Sequence, residues 1–171
     1  MIDSLQEFAG NFPDWLQWAG ILLVSAIPFV ESYFGSVIGV AIGLHPVVAI
    51  LVAIIGNVIS MLAFVYGAGA IRDKATKNKQ TEEKPKRQRL RRMFDKFGVP
   101  GVSLLGQTLL PSQITSSAMV GFGANRNVVA FWQVISIILW GVLFGVLATL
   151  GIELALRLGY VGPSSRVRPS T

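Results

Sequence analysis

The sequence predicts an all-α integral membrane protein, with about three full transmembrane helices and two re-entrant helical hairpins in an inverted repeat. Three observations predict it. Charge is scarce: Asp, Glu, Lys and Arg make up 14% of the 171 residues and apolar residues 52%, where a soluble domain carries about 25% charged residues. Charge is also segregated, because Glu31 is the one Asp, Glu, Lys or Arg between residues 15 and 71. Finally, the apolar stretches alternate in kind. Residues 47–70 and 127–152 are clean and long enough to cross a bilayer, which takes about 20 residues. The stretches before them are broken by Pro, Gly and polar groups.

Residues 1–14 read as an interfacial N-terminal arm, mildly amphipathic through Leu5, Phe8 and Phe12. They carry Asp3, Glu7 and Asp14 and no Lys or Arg, the wrong charge for a cleaved signal, and none is expected. Trp15 and Trp18 stand where an aromatic belt would lie.

The first membrane unit is 15–70. Its opening piece, 15–30, reads as an apolar helix that is short for a crossing and contains Pro28. A proline at membrane depth is tolerated where neighbours satisfy the backbone group it frees. The next piece, 31–46, is also short, carries Gly35, Gly39 and Gly43, and ends on Pro46. Together they read as a broken or re-entrant element. Residues 47–70 then form an uncharged span with Gly56 and Asn57 near its middle and Ser60 beyond. Pro28, Pro46 and Gly56 are candidate hinges.

Residues 71–96 are a different material. Eleven of the fifteen Lys and Arg lie here, against four acids. The positive-inside rule makes this a cytoplasmic loop, whether it acts only on topology or also as a patch for anionic lipid. Residues 87–96 are long enough for a short surface helix.

The second membrane unit is 97–156. Its first part, 97–125, is uncharged, but Pro111 sits among Gln107, Thr108, Ser112, Gln113, Thr115, Ser116 and Ser117. Irregular backbone at membrane depth is tolerated where it is buried in protein or lines a cavity. The stretch reads as a second re-entrant hairpin with Pro111 as its hinge. The last span, 127–152, has Gly141, Gly145 and Ala148 at a spacing that makes a small face for close packing. Glu153 and Arg157 stand at i, i+4 as an exposed pair, and 157–171 reads as a disordered tail.

Residues 43–50 align on 123–131 at an offset of about eighty, each after a broken polar piece and before a clean span. With the basic loop inside, the two units run in opposite senses across the membrane. Paired broken segments in an inverted repeat point to a transport site near the midplane.

Several chemistries find little footing. There is no cysteine and a single histidine, His45, so no metal site and no cofactor are expected. Ser103 and Ser112 have no evident base and no Gly-x-Ser-x-Gly occurs, so no enzyme is expected. The basic loop has no aromatic platform for single-stranded nucleic acid.

Glu31, the turn Gly43-Leu44-His45-Pro46, Gly56-Asn57, then Gly98-Val99-Pro100-Gly101, Pro111-Ser112, Thr115 and Gly121 to Gly123 together resemble the small multidrug export protein family. The resemblance covers roughly residues 20–152 and extends more distantly to the DedA (SNARE-associated, VTT) membrane proteins. Where that family commonly has an Arg soon after the acid, this chain has Ser32 and Tyr33. Where DedA proteins carry arginines in the second hairpin, it has Gln107 and Gln113. The resemblance implies a small integral membrane transporter of the cell membrane.

An acidic residue at a helix centre costs about 2.5–3.5 kcal/mol on insertion scales, so Glu31 is the leading candidate residue. It either exchanges a proton with a substrate or caps the piece that follows it. Asn57, Gln107, Ser112, Gln113 and Thr115 are the candidate path, although Asn57 would also serve as a bond between helices. The expected activity is proton-coupled export or flipping of a small amphipathic or lipid-linked substrate by a homo-oligomer in contact with membrane lipids. The alternative is a non-transporting scaffold or assembly factor acting through the basic loop.

Overall fold

The computed structural model describes residues 2–75, 85–106 and 110–158. Residues 76–84 of the basic loop, Gln107 and Thr108 of the polar cluster, and the tail from 159 onward lie outside the described residues. Among the described residues all regular structure is helical: α1 (Ile2–Gly10), a 3-10 turn (Asp14–Leu16), α2 (Gln17–Ser25), α3 (Glu31–Ala41), α4 (Pro46–Ala75), α5 (Pro85–Gly106), α6 (Ser112–Gly121) and α7 (Arg126–Arg157).

Two of these helices are long and apolar enough to cross a membrane: Pro46–Gly67 within α4, with mean hydropathy 2.7, and α7, with mean hydropathy 2.4. Only 28% and 22% of their most apolar windows are buried, whereas a core helix of a soluble domain is covered on most sides. The uncovered faces are aliphatic, with Leu51, Ile55 and Ile59 on α4 and Leu139, Leu143, Leu147 and Leu150 on α7. α4 and α7 pack antiparallel. A methyl built on Gly141 would meet Ile54, and one on Gly145 would meet Ile50.

Proline chemistry shapes the shorter elements. α2 stops at Ser25, where the Ala26 amide donates back to the Leu22 and Leu23 carbonyls. Pro28 bars the helix from continuing, since the residue before a proline avoids the helical region. The chain reverses over 26–30, with left-handed φ at Phe29 (77°) and Glu31 (56°). Such values in residues other than glycine are uncommon and cost of order 1–2 kcal/mol each. α3 then runs back along α2, so that Ser25 packs on Gly35.

This helix pair lies against the first half of α4. Gly35 and Gly39 let α3 approach Ala53 and Ala49, and Leu22 of α2 lies on Gly56. At the reversal, Ser60 Oγ donates to the Ala26 carbonyl at 2.8 Å. The turn between the two helices is therefore level with Ser60, and the far end of α3 is level with Ala49. The other face of α3 meets α7, where Ser32 and Ser36 fit beside Gly141 and Gly145.

The chain leaves α3 and α6 by the same device. Leu44 N–H donates to Gly39 O and Gly43 N–H to Val40 O; Ala124 N–H donates to Met119 O and Gly123 N–H to Val120 O. These are paired 6→1 and 5→2 bonds that need a left-handed residue, supplied by Gly43 (φ 97°) and Gly123 (φ 110°). Pro46 opens α4, where its missing N–H costs nothing. Asn125 caps α7, accepting from Asn127 N–H at 2.9 Å. Gly43 and Gly123, and likewise Pro46 and Arg126, are eighty positions apart.

α5 is bent at Gly98 (φ 66°, ψ −169°), two residues before Pro100. Its basic part, 85–97, contains the residues expected to form a surface helix, and its apolar part, 99–106, packs on α6, with Gly106 against Thr115. Phe94 and Phe122 bring the other ends together, with ring centroids 5.9 Å apart. Met61, Val65, Val102, Met119 and Ile137 form the core around this second pair, while Ile21, Val24, Ile38 and Ala53 form that around α2 and α3.

Candidate functional site

The two short helix pairs meet where α3 and α6 begin. Glu31, the first residue of α3, reaches the first residue of α6: Ser112 N–H donates to Glu31 Oε1. Both groups are fully buried. Glu31 therefore caps a helix, but it is α6 and not the α3 that it begins. The first amides of a helix have no carbonyl of their own helix to bond, and that end carries about half a positive charge. The partner of the carboxylate is thus a helix end.

Asn57 and Gln113 complete the junction. Ser112 Oγ donates to Asn57 Oδ1 at 3.3 Å, and Gln113 Nε2 donates to the same oxygen at 3.1 Å. Gln113 Nε2 also lies 3.4 Å from Ser60 Oγ, whose hydroxyl ties α4 to the Ala26 carbonyl. One connected polar chain thus runs from the turn of the first pair, through α4, to the start of α6, and back to Glu31. Two of its buried atoms have no hydrogen-bond partner, Glu31 Oε2 and Asn57 Nδ2.

Of the residues expected from sequence, Glu31, Asn57, Ser112 and Gln113 come together. Thr115 is buried beside them but bonds locally, to the Leu110 carbonyl at 3.3 Å. Gln107 lies outside the described residues. Pro28 lies in the turn between α2 and α3, and Pro111 is the residue before α6, with φ −55° and ψ 148°. Pro46 is the first residue of α4. Gly56 lies within α4, which runs through it without a break, and its bare backbone admits the Leu22 carbonyl.

Ser25, Ser32, Gln133 and Ser136 are also buried polar residues. Ser32 Oγ donates to the Ile137 carbonyl at 2.9 Å. The eighty-residue offset relates Ser32 to Ser112 and Ile137 to Asn57, so each short helix after a turn reaches the same position of the other unit's long helix. Ser60 and Trp140 are also eighty positions apart, and each donates to a carbonyl within its own unit, Ser60 to Ala26 and Trp140 Nε1 to Leu104 at 3.2 Å. A polar side chain inside an apolar span is the signal that would have found Gln133 and Ser136.

Among the described residues no group of three or more His, Asp or Glu is placed to hold a metal. In comparisons with known proteins, no family model, no curated protein and no solved structure matches the chain.

Proposed function

We propose that the chain is a membrane transporter or flippase in which two re-entrant hairpins, α2–α3 and the apolar part of α5 with α6, meet near the midplane of the bilayer. The observation that carries this reading is the burial of Glu31 at the start of α3, bonded to the start of α6. Depth supports it. Asn57 lies eleven residues into the apolar stretch that starts at Pro46, about 16 Å along the helix and half its length at 1.5 Å per residue. The paired contacts at the eighty-residue offset, across antiparallel α4 and α7, support an inverted repeat.

In this reading Glu31 carries the proton, and Asn57, Ser112, Gln113, Thr115 and Gln107 line the path. An ionisable group inside a membrane protein commonly marks such a path. The basic loop lies in the cytoplasm of a cell-membrane protein, the aliphatic faces of α4 and α7 meet lipid or a second copy, and the substrate is small and amphipathic or lipid-linked. The resemblance to the small multidrug export and DedA families points the same way.

The test is reconstitution of the wild type and Glu31→Gln in vesicles holding a pH dye, challenged with a panel of amphipathic cations and lipid phosphates. Proton movement coupled to one of these is expected in the wild type and lost in Glu31→Gln. Unchanged coupling in the variant would remove Glu31 from the mechanism. Deleting 74–92 separates the scaffold alternative: a scaffold acting through that loop loses its function, whereas coupled flux survives in an inserted transporter.

A further inference from the structure

α6 has no local cap. Pro111 precedes it and makes no side-chain bond to its first turn. α7, by contrast, is capped by the adjacent Asn125. The acceptor for Ser112 N–H comes instead from Glu31, eighty-one residues away. A buried helix start is a natural site for an oxyanion, because its amides and its dipole both favour negative charge.

The groups around it are also donors. Gln113 Nε2 and Ser112 Oγ both point at Asn57 Oδ1, so the Asn57 amide stands at the start of α6. Its Nδ2 is fully buried and has no acceptor. Asn57 Oδ1 answers Ser112 Oγ and Gln113 Nε2, a single Glu31 oxygen answers Ser112 N–H, and one buried donor of the junction, Asn57 Nδ2, is left without an acceptor.

We propose that the start of α6 is a binding seat for an oxyanion group of the substrate, a carboxylate or a phosphate, and that the Glu31 side chain is its resident competitor. A ligand takes the seat when Glu31 leaves it. That the ligand is the transported substrate rests on the transport reading above; the competition does not.

The test uses the full chain in phosphatidylcholine nanodiscs, with inorganic phosphate as the free probe and phosphatidic acid added to the discs as the lipid probe. Phosphate held by Lys and Arg of the basic loop is common to all variants, so the difference between them is the readout. Glu31→Gln is expected to bind at least tenfold tighter than the wild type. Adding Ser112→Pro to Glu31→Gln removes the donor N–H at a position where helices accept proline and should return affinity to the wild-type level. Adding Asn57→Asp instead places a new carboxylate at the seat and should do the same. Ser112→Ala, which keeps the N–H, should retain most of the gain.

A gain seen with inorganic phosphate identifies a free oxyanion as sufficient; a gain confined to phosphatidic acid identifies a lipid headgroup. Equal affinity of wild type and Glu31→Gln for both probes overturns the seat, as does a gain that survives both Ser112→Pro and Asn57→Asp. If coupled flux is lost in Glu31→Gln without any gain in binding, the seat fails and the transporter stands. If binding is gained while the wild type shows no flux, the transporter fails and the seat stands.

Discussion

Gly56→Ala tests how the first helix pair is seated on α4. A methyl at Gly56 would stand 2.2 Å from the Leu22 carbonyl oxygen, 3.0 Å from its carbonyl carbon and 3.1 Å from its Cα. All three atoms belong to the α2 backbone, so no rotamer change relieves the clash. Carbon atoms pack at about 3.5–4.0 Å and carbon on oxygen slightly closer, so α2 must retreat by about 1 Å. Overpacking of this kind costs about 1–3 kcal/mol. The retreat also strains the 2.8 Å bond from Ser60 Oγ to the Ala26 carbonyl, worth about 0.5–1.5 kcal/mol. Alanine returns about 1 kcal/mol of helix propensity. The net loss is about 1–3 kcal/mol, or about 3–10 °C of melting temperature for a chain of this size. Gly67→Ala is the control, because nothing lies within 4 Å of its added methyl. Both variants would be melted in the same detergent and followed by circular dichroism. A Gly56→Ala protein that melts with Gly67→Ala, or above the wild type, would refute this account of the contact.

Three other measurements bear on the junction and on the two helix pairs. A double-mutant cycle of Asn57→Ala and Gln113→Ala should give a coupling of about 0.5–1.5 kcal/mol, the range for hydrogen bonds between membrane helices; additive effects would show that the 3.1 Å bond contributes nothing. Cysteines at Ser32 and Gly141 should form an intramolecular disulfide on mild oxidation, because the two Cβ positions are 3.1 Å apart and the chain has no cysteine of its own; persistent free thiols would place α3 away from α7. Hydrogen exchange should be faster in α6 than in α3, since α3 is wedged between two helices; equal protection would show that the two helices are held equally well.

The long elements were legible in the sequence because a clean apolar run has few alternatives to a helix. Residues 47–70 and 127–152 both lie inside helices that extend further, α4 to Ala75 and α7 to Arg157. The turn at Gly43 was legible too, and the alignment of 43–50 on 123–131 pointed to Gly123 as its counterpart, although the left-handed backbone at both was not. The stretch 15–30 reads as one apolar piece, but α2 ends at Ser25 because Pro28 acts on the residues before it. The partner of Glu31 was not legible. Sequence reasoning looks for a cation near an acid, and residues 97–125 contain none. A helix start is a backbone feature with no side chain to announce it. Ser32 was hidden for a related reason, since it bonds a carbonyl and not another side chain.

The two units share a plan but not their packing, and the residues at equivalent positions explain the difference. Gly35 and Gly39 of α3 face Ala53 and Ala49 of α4. Eighty positions on stand Thr115 and Met119 in α6, and Gln133 and Val129 in α7. Small residues meet small ones in the first unit, and the helices close up. In the second unit the counterparts are large at all four positions, and α6 touches α7 far less than α3 touches α4. α6 is held to α4 by apolar packing, with Met119 and Val120 in one core with Met61 and Val65, and at its start by Ser112 and Gln113 bonding Asn57. Without a solvent-driven hydrophobic effect, helices in a membrane hold together by close packing and by hydrogen bonds. Dispersion over a small-residue face is hard to undo in part, and α3 has such a face where α6 does not. Of the two helices that meet at Glu31, α6 is therefore the one with less packing to lose. Glu31 begins the more tightly packed helix and bonds the first amide of the other, so that single carboxylate is a direct link between the two units.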